Sequence, residues 1–207
     1  MSWTGEQTEG PRRSRGFVAA QVIAVFVGLL YVVELVDAIL DTELDAAGVR
    51  PRELEGLDGI IYAPMLHASW DHLFANTVPL LVFGFLILLA GVGRWLAVTA
   101  IVWVVGGLGV WLTGGEQTLH LGASVLAFGW LVYLLLHGFF ARSAPQIAIG
   151  VILLFMYGGL LLGVLPGQPG VSWQGHLFGA IGGAWAAVWL GRRDRERELA
   201  TRRSASW

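Results

Sequence analysis

Long apolar segments alternate with short polar breaks along most of this chain. Each of six segments comes close to the roughly 20 apolar residues that a helix needs to cross the hydrocarbon core of a bilayer. The segments cover residues 17–38, 73–91, 95–112, 121–140, 146–165 and 173–191. The pattern therefore predicts six membrane-spanning helices.

The breaks between these segments are short, with one exception. Turn signals fill "TGGEQT" at 113–118 and "PGQPG" at 166–170. The connection after the first segment, residues 39–72, is long and mixed, and loops of that length are usually functional or carry structure of their own. Its second half, "IIYAPMLHASWDH", is apolar and aromatic enough to lie in the membrane interface.

The composition indicates that lipid surrounds most of the chain. The 207 residues are 56% hydrophobic and 14% charged, whereas a soluble domain has about 25% charged residues. The first apolar segment is longer than the core of a signal peptide, and no small-residue cleavage site follows it. It is therefore interpreted as a first span and not as a removed signal.

The arginines orient the predicted bundle. If six spans cross the membrane, one side holds both termini and the turns at 91–94 and 141–145, and it carries all but two of the 13 basic residues. Only Arg50 and Arg52 lie on the other side. The positive-inside rule then makes both termini cytoplasmic. This divides the chain into a polar cytoplasmic segment (1–16), a membrane domain (17–191) and an Arg-rich cytoplasmic tail (192–207).

A net charge of −2 gives no basic field for nucleic acid, and the absence of cysteine excludes disulfides and thiolate metal sites. Four histidines fall near the outer face and raise the question of a metal site: His67, His72, His120 and His176. However, the first two are five residues apart, off one helical face, and no H-E-x-x-H motif is present. No metal and no other cofactor is expected.

Polar side chains enter three of the spans from the outer side. His72 and Asn76 begin the second span, Ser124 the fourth and His176 the sixth. At about 1.5 Å per residue, each lies roughly 5–10 Å below the surface. Polar groups inside a bilayer are costly and are by default functional candidates, although a lone serine in such a helix is usually a packing residue.

The residue types suit acyl transfer. Ser124 could act as a nucleophile with His176 as its general base. His72 and Asn76 are spaced i, i+4 on one helix face, so both could donate to a developing oxyanion. Backbone N–H groups near Gly122 and Ser124, at a helix N-terminus, could add to them.

Small and aromatic residues favour the same arrangement. Gly175, Gly179 and Gly183 form two successive G-xxx-G steps, which allow close helix approach beside His176. Phe128 lies one turn below the serine, where its ring could stack on that imidazole.

Three stretches together carry a family resemblance: "HASWDHLFANTVPLL", "HLGASVLAFG" and "GHLFGAIGG". Over roughly residues 57 to 191 the chain resembles the bacterial rhomboids, intramembrane serine proteases, in their six-span form. The resemblance implies an all-α bundle of six transmembrane helices with a long outer loop between helices 1 and 2. It implies a dyad of Ser124 and His176 assisted by His72 and Asn76, cleavage of single-span membrane proteins near the outer face, and location in the bacterial plasma membrane.

The sequence departs from the family pattern at one central position. The usual motif is G-x-S-G, and here Val125 stands in place of the glycine, where it could crowd the substrate or tilt the helix start. A proteolytically silent relative that binds membrane clients is therefore an alternative. No clear Trp–Arg pair, a feature of some relatives, is present in the first loop, and Arg52–Glu53 is not an obvious replacement.

A small transporter or channel is a third hypothesis. It would need polar residues along a path through the membrane, and the inner halves of the predicted spans offer almost none. Glu34 and Asp37 are interpreted as the point where the first helix leaves the hydrocarbon.

Overall fold

Six long helices form the framework of the computed structural model, which describes residues 14–40, 43–168 and 170–205. They are α1 (Arg15–Leu40), α2 (Trp70–Leu88), α3 (Val92–Thr113), α4 (Ser124–Ala141), α5 (Ala144–Tyr157) and α6 (Trp173–Ser204). A 3₁₀ segment, Gly158–Val164, continues α5. Short helical turns at Leu44–Ala47, Leu54–Gly56, Gly59–Tyr62 and Ala63–Met65 fill the connection between α1 and α2.

Five of these helices are long and apolar enough to cross a membrane: α1, α2, α3, α4, and α5 with its 3₁₀ continuation. The protein is therefore an integral membrane protein built as a helical bundle. Helix α6 is not in this set, because Gln174 and His176 occupy its first turn and its last three turns are charged. The sixth span stays a prediction.

The structure describes only parts of the predicted N-terminal segment and C-terminal tail. Most of the polar segment 1–16 lies outside the described residues, as do the last two residues of the tail. Helix α6 shows no break at 192 and continues to Ser204. The Arg-rich segment is thus a direct extension of the helix that carries His176.

Helices α4 and α6 make the closest contact of the bundle. A methyl group added at Gly179 would clash with the carbonyl of Val125, and one at Gly183 would clash with the carbonyl of Gly129. The two glycines therefore let the backbones of α4 and α6 touch. This close contact fixes the distance between Ser124 at the start of α4 and the first turn of α6.

Gly175 does not share this α4 contact, although its spacing groups it with the other two glycines. Its neighbours are the Ser172 side chain and Val110 of α3. The contacts of Gly175 therefore differ from those of Gly179 and Gly183. Helix α6 packs against both α3 and α4, so in its first turn Gly175 contacts α3 while His176 contacts Ser124 of α4.

The inner ends of four helices meet in a polar cluster. Arg94 Nη2 of α3 donates to Asp194 Oδ1 of α6 over 2.6 Å. His137 of α4 lies 3.2 Å from Arg94 Nη1 through Nε2, and its Nδ1 donates to Gln146 Oε1 of α5 over 3.0 Å. Tyr133 also contacts Arg94. The sequence predicts almost no polar side chains in the inner halves of the spans. His137, which is 6% exposed, is an exception.

Candidate active site

Helix α4 begins at Ser124, three residues later than the predicted span. The preceding turn is shaped by Gly122, whose φ of +117° is a conformation that favours glycine. Its N–H donates to the carbonyl of Ala63 over 2.8 Å, which ties the turn to the connection between α1 and α2. A side chain at Gly122 would also run into the His72 ring. The turn therefore places Ser124 at the first helical position, directly beneath the outer loops.

Ser124 and His176 lie within hydrogen-bond distance. Ser124 Oγ is 3.0 Å from His176 Nε2. The other ring nitrogen, Nδ1, is 2.9 Å from the carbonyl oxygen of Gly163, which can only accept. Nδ1 therefore carries the proton of the neutral imidazole, and Nε2 is left to accept from the serine hydroxyl. This is the tautomer that a general base for Ser124 needs.

The Phe128 ring holds the imidazole from one face. The two rings are stacked, with centroids 3.9 Å apart and planes 8° from parallel. Gly163 packs against the edges of both rings, because a Cβ there would lie 2.8 Å from Phe128 Cζ and 3.1 Å from His176 Nδ1. Gly163 was not among the sequence candidates. Its only signal there was its place in the glycine-containing run "GGLLLGV".

His72 and Asn76 lie on the opposite wall, on the first turns of α2. Ser69 caps this helix by accepting from the His72 N–H over 3.2 Å. Asn76 Nδ2 donates to the His72 carbonyl over 3.0 Å, which leaves its second amide hydrogen available. The His72 ring makes no hydrogen bond to any described residue. Both side chains can therefore turn a donor toward a bound oxygen.

These four predicted residues line one cavity of about 840 Å³. Its size lies in the range typical of ligand sites. Leu119, Leu121, Leu160 and Leu162 give it an apolar lining between the polar groups. The cavity lies between α2 and the 3₁₀ continuation of α5, with α4 behind it. It can accept an apolar segment of polypeptide and present its carbonyl to Ser124.

Two histidines that sequence analysis considered only as metal ligands hold the backbone of this site. His67, 2% exposed, accepts the N–H of Ala123 at Nε2 over 3.4 Å, and burial lowers its pKa to about 4. His120 pairs through its backbone with Val49 and through Nδ1 with the Ser172 hydroxyl over 2.7 Å. Burial lowers the pKa of His120 as well. Over the described ranges, no group of three or more histidine and carboxylate side chains could hold a metal ion.

Val125 packs away from the 840 Å³ cavity. Its Cγ2 occupies the space next to Gly106 of α3 and Gly179 of α6, where an added Cβ would meet it. The residues that line the cavity include Ser124 and Ala127 but not Val125. The departure from the family motif therefore changes the contact between helices and does not narrow the 840 Å³ cavity.

Arg52 and Trp111 fasten the long connection to the outer end of α3. Arg52 Nη1 donates to the carbonyl of Gly114 over 2.9 Å, and Trp111 Nε1 donates to the carbonyl of Glu53 over 2.8 Å. The tryptophan comes from α3 and not from the first loop.

Comparisons with known proteins bear on the family of this chain. The model of the rhomboid domain matches residues 55–193. Uncharacterized proteins of Mycobacterium bovis and Mycobacterium tuberculosis are each 50% identical over 206 residues, 96% of this chain and 86% of theirs. An uncharacterized protein of Mycobacterium leprae is 50% identical over 198 residues, 92% of this chain and 78% of its own. No solved structure matches the chain. The match over most of the chain shows that this protein belongs to the rhomboid family.

Proposed function

We propose that this protein is an intramembrane serine endopeptidase that cleaves single-span membrane proteins near the outer membrane face. The observation that carries the proposal is the 3.0 Å distance between Ser124 Oγ and His176 Nε2, with Nδ1 committed to Gly163. A serine that only packs between helices does not need an oriented and stacked imidazole beside it.

The reaction follows from these groups. As Ser124 Oγ attacks the scissile carbonyl, its proton passes to His176 Nε2. The oxyanion that forms is stabilised by donors from His72, Asn76 and the backbone near Gly122 and Ser124. The imidazolium then gives its proton to the leaving amine, and a serine ester remains. Water, deprotonated by His176, hydrolyses this ester and regenerates the hydroxyl.

The proposal includes the topology. Six spans, with α6 as the sixth, place both termini in the cytoplasm of a bacterial cell and the connection 39–72 outside the plasma membrane. Two observations support it. The inner polar cluster brings Arg94 and Asp194 to the same end of the bundle, and the described arginines outside that end are Arg50 and Arg52. The positive-inside rule favours this orientation.

The test is cleavage of a single-span test substrate by purified protein in liposomes. Ser124→Ala and His176→Ala should each abolish cleavage while the protein still inserts and folds. Ser143→Ala is the matched control, because Ser143 precedes α5 at the opposite end and its side chain makes no capping hydrogen bond. Full cleavage by the Ser124→Ala variant would reject the proposal.

Labelling with a fluorophosphonate separates the protease from a silent relative that only binds membrane clients. An activated Ser124 should react, and the label should disappear in Ser124→Ala. Client capture without any labelling of the folded wild-type protein would favour the silent alternative.

A further inference from the structure

A second cavity lies at the inner ends of α2, α4 and α5. Its volume is about 260 Å³. Most of its wall is apolar and consists of Leu86, Ile87, Leu89, Ala90, Leu134 and Ile149. Three polar side chains, Tyr133, His137 and Gln146, face it as well. None of these three takes part in the chemistry of Ser124.

The two cavities lie one below the other along helices α2 and α4. Helices α2 and α4 line both cavities. The third wall is α5 in the inner cavity and its 3₁₀ continuation in the larger one, to which His176 of α6 also contributes. Between the cavities the rings of Phe83 on α2 and Tyr157 on α5 meet edge to face, with centroids 4.9 Å apart. These rings separate the two cavities, so a polypeptide that reaches Ser124 beside α2 and runs inward passes over them before it meets the inner cavity.

The separation of the two cavities along α2 determines which substrate residue can reach the inner cavity. On α2, Asn76 lines the 840 Å³ cavity together with Ser124, and the inner cavity begins ten residues later at Leu86 and ends at Ala90. At about 1.5 Å per residue this is roughly 15–21 Å. A substrate helix running inward beside α2 covers the same distance in about ten to fourteen residues.

The polar groups of the cavity have unused hydrogen-bonding capacity. Gln146 Oε1 accepts from His137, so the amide nitrogen of Gln146 is left to donate. The Tyr133 oxygen faces Arg94 Nη1 over 3.5 Å, so its own hydrogen is available. The rest of the wall is aliphatic. The ligand that fits best is a flat apolar group with one polar atom at its tip.

An aromatic side chain with a polar tip meets this description. A cavity of about 150 Å³ holds a benzene molecule, so 260 Å³ accommodates a phenol or an indole. Tyrosine and tryptophan are also the residues that membrane spans carry at their ends, where the ring is apolar and the tip polar.

We propose that the inner cavity is a substrate subsite that takes a tyrosine or tryptophan about ten to fourteen residues after the scissile bond. The substrate is one whose N-terminal side lies outside, so that its span continues inward from Ser124. This inference rests on the proposed endopeptidase function. The enzyme then recognises the inner end of the membrane span as well as the bond that it cuts.

The test scans a single tryptophan through an otherwise all-leucine span, from eight to sixteen residues after the cleavage point. The wild-type protein should cleave substrates with tryptophan inside the proposed window several-fold more efficiently, through a lower KM. Ile149→Trp fills the cavity and should remove this advantage. Ile152→Trp is the matched control, because Ile152 lies on the same helix, is 57% exposed and does not line the cavity.

The outcomes are distinct. Cleavage that is independent of the tryptophan position overturns the subsite and leaves the proposed function intact. An Ile149→Trp variant that cleaves the all-leucine and tryptophan substrates with an unchanged ratio also overturns it, and points to a bound lipid. If wild-type protein cleaves nothing, the proposed function fails. The subsite is then judged by photo-crosslinking of a probe at the same substrate positions, where crosslinks at Gln146 support it and crosslinks elsewhere reject it.

Discussion

The side chain of Val125, one residue after Ser124, fills the space that the missing side chain of Gly106 leaves on α3. A Cβ at Gly106 would clash with Val125 Cγ2, and Gly179 on α6 receives the same valine from the other side. A bulky residue next to the nucleophile is thus accommodated by small residues on two neighbouring helices. It packs within the bundle and leaves the cavity in front of Ser124 free.

This contact predicts the effect of restoring the usual glycine. Val125→Gly should not speed cleavage, because the valine does not line the 840 Å³ cavity in front of Ser124. It should lower the thermal unfolding midpoint, since it leaves a void and places a glycine in the first turn of α4, at a cost of about 2 kcal/mol. Cleavage rates and thermal unfolding in detergent measure the two effects separately.

Gly106→Ala provides the complementary test. Alone it should destabilise the bundle by overpacking against Val125. Combined with Val125→Gly it should cost less than the sum of the single changes, because the new methyl group enters the vacated space. Faster cleavage by Val125→Gly, or strict additivity of the two changes, would contradict this view of Val125.

Gly163 offers a test of how the catalytic imidazole is held. In Gly163→Ala the new methyl group presses on Phe128 Cζ and His176 Nδ1, so kcat should fall while the fold is retained. Gly28→Ala on α1 is the control, because an added Cβ there meets nothing within 4 Å and Gly28 does not line the cavity. Equal rates for the two variants would show that the ring does not depend on close packing at Gly163.

His67 predicts a pH dependence of stability. It is neutral in the folded protein, and burial lowers its pKa from 6.5 to about 4. Between pH 6.5 and about 4, His67 is protonated in the unfolded chain but neutral in the folded protein. The contribution of neutral His67 to the free energy of unfolding is therefore fully present above pH 6.5 and is lost as the pH falls toward about 4. Protonation would also remove the acceptor of the Ala123 N–H.

Two substitutions at His67 separate the effect of its titration from its role as a hydrogen-bond acceptor. His67→Gln keeps an acceptor but does not titrate, so its unfolding midpoint should depend less on pH between 7 and 5 than that of wild type. His120, whose pKa burial also lowers, remains in both proteins. His67→Leu lacks the acceptor and should be less stable at pH 7. A steeper pH dependence in His67→Gln would refute the assignment.

The sequence was sufficient for those parts of the site that depend on helix periodicity. His72 and Asn76 share a face because they are one turn apart, and Ser124 and His176 start their helices from the same side. The 3.0 Å contact between the last two required only that α4 and α6 be adjacent, as Gly179 and Gly183 indicate.

The remaining parts depend on contacts between distant and irregular segments. The carbonyl of Gly163 reaches His176 only because α5 changes to a 3₁₀ segment. His67 and His120 lie in connections without periodicity, so their partners could not be inferred from spacing. The direction of Val125 likewise depends on which neighbouring helix has a glycine at the same depth.

The ion pair between Arg94 and Asp194 lies beyond the apolar segment of α6. We predict that it stabilises the packing of this end of α6 against α3. Their side chains are 17% and 28% exposed, and the pair also contacts His137. Asp194→Asn leaves Arg94 half-buried without its partner charge and should destabilise the bundle by about 1–3 kcal/mol, less than for a fully buried pair.

Glu198→Gln is the matched control on the same helix. The ion pair of Glu198 with Arg202 is exposed at 52% and 75%, so its loss should cost about 0.5 kcal/mol or less. Thermal unfolding midpoints in detergent measure both variants. Equal losses would show that the inner cluster contributes no more than a surface pair. The expected difference would instead show that Asp194, five helical turns beyond His176, anchors the helix that carries this histidine.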